Sequence, residues 1–160
     1  MTSDIGCDSL NFITISYRSE AQLLDKLHDL VSIVEESRLR NAACGITGVL
    51  LFDGTFFLQT LEGPPEKTKG VYAKILQDRR HRNVKSFPIQ AIEERDFPDW
   101  HMELISSDET AQIVADMGNL EFTYRRLREV QAMSVDVIRQ REENASATSQ
   151  SVRKLPTIMP

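Results

Sequence analysis

Ile46-Thr47-Gly48-Val49-Leu50-Leu51-Phe52-Asp53-Gly54-Thr55-Phe56-Phe57-Leu58-Gln59-Thr60-Leu61 reads as two antiparallel strands joined at Asp53-Gly54. A two-residue Asp-Gly turn suits a hairpin because both residues accept the backbone angles that such a turn demands. The flanking runs, residues 46–52 and 55–61, are apolar at nearly every position. A strand with one wet face alternates, so this continuous apolar character predicts a sheet covered on both sides.

Upstream, Phe12-Ile13-Thr14-Ile15-Ser16-Tyr17 alternates and places Ile13, Ile15 and Tyr17 on one strand face. Ser19 and Gln22 have the spacing of a capping box, and Leu23, Leu24, Leu27, Leu30, Val31 and Val34 follow at helical spacing, which predicts a first helix. Residues 38–45 read as a loop. Downstream, Gly63-Pro64-Pro65 stops the hairpin, and Pro65 suits the first turn of a second helix carrying Val71, Tyr72, Ile75 and Leu76. Two further strands are expected within 84–92 and 100–105, separated by Phe97-Pro98.

The order βαββαββ predicts an α+β fold, a ferredoxin-like sandwich with both helices on one sheet face. Residues 109–140 are expected to cover the other face with C-terminal helices. Ile113, Val114 and Met117 precede a break at Gly118, and Leu120, Tyr124, Leu127, Val130, Val137 and Ile138 follow. The chain thus divides into a flexible N-terminus at 1–9, a globular domain at 10–106, a helical extension at 107–141 and a disordered tail at 142–160.

At 160 residues there is enough chain for one core, and 41% hydrophobic with 27% charged residues is ordinary globular usage. A net charge of −5 argues against direct nucleic-acid binding, which relies on surplus Lys and Arg. No apolar run reaches the ~20 residues that span a bilayer, so no membrane association is expected. Cys7 and Cys44 form no disulfide framework, and no signal-peptide pattern precedes them, which points to a cytoplasmic protein. Cys44, His28, His81 and His101 lack the spacing of a triad or a metal site, so no enzyme is expected.

Polar residues in apolar surroundings mark the candidate site. Gln59 shares a strand face with Phe57 and Leu61. A buried amide left unpaired costs about 1–3 kcal/mol, so Gln59 either bonds neighbouring backbone or meets a buried ligand. Tyr17 is either a core aromatic or the second half of an inward pair with Gln59. The Trp100-His101-Met102 alternation puts Trp100 and Met102 on one face, beside the same slot. Asn41 is either a loop residue capping helix carbonyls or an amide aimed at a ligand edge. In Arg79-Arg80-His81-Arg82 the alternatives are a solvated helix end, favoured by position, and recognition of a phosphate.

Five blocks carry a family resemblance: Ser16-Tyr17-Arg18-Ser19; Asn41 with Gly45-Ile46-Thr47-Gly48-Val49-Leu50; Phe56-Phe57-Leu58-Gln59-Thr60-Leu61-Glu62-Gly63; Asp78-Arg79-Arg80-His81; and Phe97-Pro98-Asp99-Trp100-His101-Met102. In order and spacing, over residues 11–105, they resemble the BLUF domains, blue-light sensors that use FAD. The resemblance implies that residues 10–106 bind FAD without a covalent bond, the flavin ring lying between the two helices. It implies that Tyr17 donates an electron and a proton, that Gln59 bonds both flavin and Tyr17 and then rearranges, and that Asn41 holds the pyrimidine edge. Arg80 and His81 match positions near the ribityl and phosphate part, and Trp100 and Met102 match the strand that relays the signal. Only about 55 residues follow Ile105, so output is expected to pass through the C-terminal helices to an unidentified downstream protein, with the chain a homo-oligomer. The competing reading is a non-photic ligand or protein interaction module on the same fold.

Overall fold

The computed structural model describes residues 11–115, 117–119 and 123–153. The expected flexible N-terminus, Leu120 and the last seven residues of the expected tail lie outside these described residues.

β1 (Phe12–Ala21) pairs along its length with β3 (Phe56–Gly63), antiparallel, and β3 pairs in turn with β2 (Thr47–Phe52). β4 (His81–Ser86) and β5 (Gln90–Ile92) share the other edge of β1, and β6 (Glu103–Ile105) lies parallel to β2. The order β4-β1-β3-β2-β6, with α1 (Lys26–Cys44) crossing from β1 to β2 and α2 (Pro65–Leu76) from β3 to β4, is the ferredoxin-like arrangement extended by β6.

Alternation sorts the buried strand residues into two cores. Tyr17, Leu50, Phe52, Phe57 and Leu61 pack with Val34, Val71 and Ile75 beneath α1 and α2. Val49, Leu51 and Leu58 pack on the opposite face with Ile113, Leu127, Val130 and Ile138. These last belong to α3 (Ser107–Ile113), which starts with the capping box Ser106–Glu109, and α4 (Tyr124–Arg153). The doubly covered hairpin predicted from residues 46–61 is therefore present. Its turn takes in Thr55 as well, because Asp53 Oδ1 accepts from the amides of Thr55 and Phe56 at 2.8 and 2.7 Å.

Several local expectations are overturned by tertiary pairing. α1 starts at Lys26, capped by Asp25, which accepts from the His28 amide, and not at Ser19. Ser19 stays in β1 because strand pairing reaches Ala21 and its hydroxyl bonds His81 Nδ1 at 2.8 Å. Leu24, Leu27 and Val31 face solvent, so the expected apolar stripe is narrower than read. The expected loop at 38–45 is helical through Cys44 and stops only at Gly45, whose φ of 66° is left-handed. The strand expected within 84–92 is two strands, since Pro88 lacks the N–H a ladder needs. Separately, α4 extends through Arg153, across the first residues of the segment 142–160 read as a tail.

Two buried features lock β2, β3 and the segment before β6. A Cβ at Gly48 would sit 2.0 Å from the Thr60 carbonyl oxygen, and the Gly48 amide donates to Trp100 O at 2.8 Å. Glu62, 1% exposed, accepts from the amides of Asp96 and Phe97 at 3.1 and 3.0 Å. Burial outweighs these bonds and pushes its pKa up to about 7.

Gly48→Ala forces β2 from β3 and is expected to cost roughly 3 kcal/mol or more, read as a lowered thermal midpoint by circular dichroism. The unfolded chain gives up the Glu62 proton near pH 4.5 and the folded one near 7. Glu62 therefore removes up to about 3 kcal/mol of stability as pH rises through that window. In denaturant titrations at pH 5 and pH 8, Glu62→Gln is expected to lose this share of the pH dependence; an unchanged slope contradicts the assignment.

Candidate functional site

The sheet face beneath α1 and α2 is not filled. A narrow recess, open to solvent, lies against Tyr17 and Gln59 at the floor, Ile33, Leu50, Phe57 and Ile75 at the walls, and Glu36, Arg40, Asp78, Arg80 and His81 towards the rim.

Strand pairing sets the floor. Tyr17 and Gln59 are direct partners in the β1–β3 ladder, 4% and 3% exposed, and the Tyr17 hydroxyl donates to Gln59 Oε1. Burial, and next the neighbouring Tyr72 hydroxyl, push the Tyr17 pKa upward, so the phenol stays protonated. The Gln59 Nε2 amide reaches Met102 Sδ at 3.6 Å, a weak acceptor. Tyr72 and His81 flank the Tyr17 ring, with centroids 5.7 and 5.8 Å away.

Asn41, fully buried in the last turn of α1, donates through Nδ2 to His101 O at 2.7 Å. Its Oδ1 has no hydrogen-bond partner, and neither has the buried Nε of Arg40. Asn41 stands one helical turn beyond Ser37, outside the residues that line the open space.

At the rim, Asp78 holds Arg80 through bonds of 2.7–3.1 Å, and Glu36 takes a further N–H at 3.0 Å. These partners, Asp78 first, raise the Arg80 pKa, and Arg80 in turn lowers that of Asp78. His81 Nε2–H donates to Ile75 O at 2.7 Å, which ties β4 to the end of α2. Arg80 thus cross-links α1 to the α2–β4 turn. The partner role of Asp78, two residues before Arg80, was not read from sequence, although the spacing carries that signal.

Trp100 and Met102 do not share a face. Both precede β6; Met102 enters the core with Tyr17, whereas Trp100 packs against α4 and donates to Glu142 Oε1 at 2.8 Å. The chain bends at His101 and Met102, so strand alternation does not apply before β6. The residue beside Gln59 is Met102.

A flavin offers flat apolar faces and an edge of mixed donors and acceptors. The apolar walls, the unpaired Asn41 Oδ1 and Arg40 Nε, and the weakly held Gln59 amide fit such a group. Among the described residues no His, Cys, Asp or Glu cluster could hold a metal, and no helix is long and apolar enough to cross a membrane.

Comparison with known proteins agrees with this fit. Residues 12–103 match the family model "BLUF: Sensors of blue-light using FAD". The blue light- and temperature-regulated antirepressor BluF of Escherichia coli K12 is 36% identical over 68% of this chain and 28% of its own length. The photoactivated adenylate cyclase subunit beta of Euglena longa is 40% identical over 53% of this chain and 10% of its own. The chain therefore spans under a third of the curated relatives it matches. In structure it resembles dark-state BlrB, a BLUF protein, with a TM-score of 0.74, 33% identity and coverage of 79% of this chain and 97% of that one. For photo-activated BlsA the TM-score is 0.70 and the identity 28%, over 78% and 94% of the two chains. With a family match over more than half its length, the chain belongs to the BLUF family of blue-light sensors using FAD.

Proposed function

We propose that the chain is a photoreceptor in which Tyr17 is the donor and Gln59 the switch. The observation that carries this reading is the buried hydrogen bond from the Tyr17 hydroxyl to Gln59 Oε1, at the floor of an apolar slot. When bound, the flavin supplies absorption of blue light and, once excited, a one-electron oxidant. Ile33, Leu50, Phe57 and Ile75 would exclude water from its faces, Gln59 would present an amide to its polar edge, with Asn41 behind it in the last turn of α1, and Arg80 and His81 would hold its ribityl and phosphate part.

In the dark, burial keeps the Tyr17 phenol neutral, so its proton stays in the bond to Gln59. Loss of one electron from Tyr17 makes that proton strongly acidic, and it moves towards the Gln59 carbonyl. The Gln59 amide then rotates or tautomerises, which exchanges donor for acceptor without moving a charge far. A thioether contact at 3.6 Å holds the amide weakly, so the exchange meets little resistance. The changed state passes on to the C-terminal helices, which act on a downstream protein. In this reading the chain performs no reaction on a substrate, works as a homo-oligomer and resides in the cytoplasm.

The decisive measurement is the absorption spectrum of the FAD-loaded protein before and after blue light. The expected result is a reversible shift of the flavin bands to longer wavelength; no shift sinks the reading. Tyr17→Phe removes the transferable proton and is expected to abolish the shift, and a normal photocycle in that variant rejects the donor assignment. Gln59→Leu should still bind FAD yet lose the shift; its retention would remove Gln59 as the switch.

A further inference from the structure

Tyr17 and Gln59 form one rung of the β1–β3 ladder, and the next rung is Ser16 opposite Thr60. Alternation sends the first rung into the slot and the second towards α4. There the buried hydroxyls Ser16 Oγ and Thr60 Oγ1 lie 2.9 Å apart. Gln131 of α4, 4% exposed, spans them, its Nε2 donating to Thr60 Oγ1 at 3.1 Å and Ser16 Oγ at 3.3 Å. Its Oε1 accepts from Arg128 at 2.9 Å.

Elsewhere α4 grips the domain by apolar packing and by polar bonds to segments outside the two central strands. Leu127, Val130 and Ile138 make apolar contact, and the buried Ser134 hydroxyl returns to Val130 O in its own helix. Arg128 and Arg141 bond Asp96, Glu103, Leu104 and Glu109, and Glu142 accepts from Trp100. Among the described α4 side chains, Gln131 alone is hydrogen-bonded to β1 or β3. On the other side of Tyr17, Arg18 donates to the carbonyls of Met117 and Gly118 at 3.1 Å each. Both chain neighbours of Tyr17, and the residue after Gln59, therefore hold the C-terminal cap.

The hydroxyl pair has two equivalent arrangements. Each oxygen accepts from Gln131 while one hydroxyl donates to the other, and either direction closes the triad. Both Gln131 bonds lie at the long end of the N–H···O range, so a displacement of a few tenths of an ångström breaks one of them.

We infer that the Ser16–Thr60–Gln131 triad is the positioning contact that passes the state of the Tyr17–Gln59 pair through the sheet to α4. This rests on the photoreceptor reading above. Rearrangement of Gln59 shifts the β3 backbone at 59–60, Thr60 moves against its hydroxyl partner, and Gln131 loses a bond, which loosens α4 around it. The competing route inside the fold runs from Met102 to Trp100 and Glu142, and one experiment separates the two.

That experiment is amide hydrogen exchange of the FAD-loaded full chain, in darkness and under continuous blue light. In the wild type, amides at 127–138 should exchange about tenfold faster in light. Gln131→Leu, similar in volume but lacking the donor, should keep the long-wavelength flavin shift while the light-to-dark ratio falls to about one. Thr60→Val should behave likewise, and Thr60→Ser, which keeps the hydroxyl, should restore the ratio; Trp100→Phe should leave it intact. A merely structural role speeds exchange equally in light and dark and preserves the ratio. A full ratio in Gln131→Leu overturns the proposal, as does a wild type that shows the flavin shift without any change at 127–138. A wild type with no flavin shift overturns the photoreceptor reading instead.

Discussion

The register of β1 against β3 is the constraint on which the rest depends. It sets Tyr17 opposite Gln59 on one face and Ser16 opposite Thr60 on the other. A slip of one residue would exchange the faces, placing the hydroxyl pair in the slot and the phenol against α4. Apolar packing on both sides prevents this. Ile15, Leu58 and Leu61 are fully buried, and the close approach at Gly48 admits no Cβ. The same packing that makes the strands hard to shift makes their polar residues conspicuous.

Those residues differ in how well they are satisfied. Glu62 has two backbone amides for its two oxygens and ties β3 to the segment that leads into β6. Arg80 is held by two carboxylates and braces α1 against the α2–β4 turn. Around the slot the pattern reverses, for Asn41 Oδ1 and Arg40 Nε have no partner and the Gln59 amide faces a thioether. Unpaired buried groups cost folding free energy. Their concentration beside an apolar slot is chemically compatible with a ligand whose edge carries both donors and acceptors.

The two cores give the domain its logic as a sensor. One holds the slot over Tyr17 and Gln59, and the other docks a 30-residue helix that is exposed over 142–151. The sheet between them is one residue thick, so a change at Gln59 lies one peptide unit from the side chain that touches α4. Met102 and Trp100 provide a second crossing at the sheet edge.

Much of this was legible in the sequence where local chemistry and long-range packing agree. Continuous apolar strands around Asp53-Gly54 demanded two covering layers, Pro65 opened α2, and alternation turned Tyr17 and Gln59 inward. The spacing of five blocks pointed to the family, which periodicity alone could not do. What the tertiary structure alone decided lies where a local signal competes with a distant partner. Ser19 carried a capping pattern but was claimed by β3 and β4; Asn41 looked like a loop residue until nothing before Gly45 broke the helix. Trp100 and Met102 parted because the chain bends before β6, and the link from Gln131 to Ser16 and Thr60 joins residues 115 and 71 positions apart. Propensity and periodicity act over a few residues, whereas these contacts are chosen by the packing of the whole sheet.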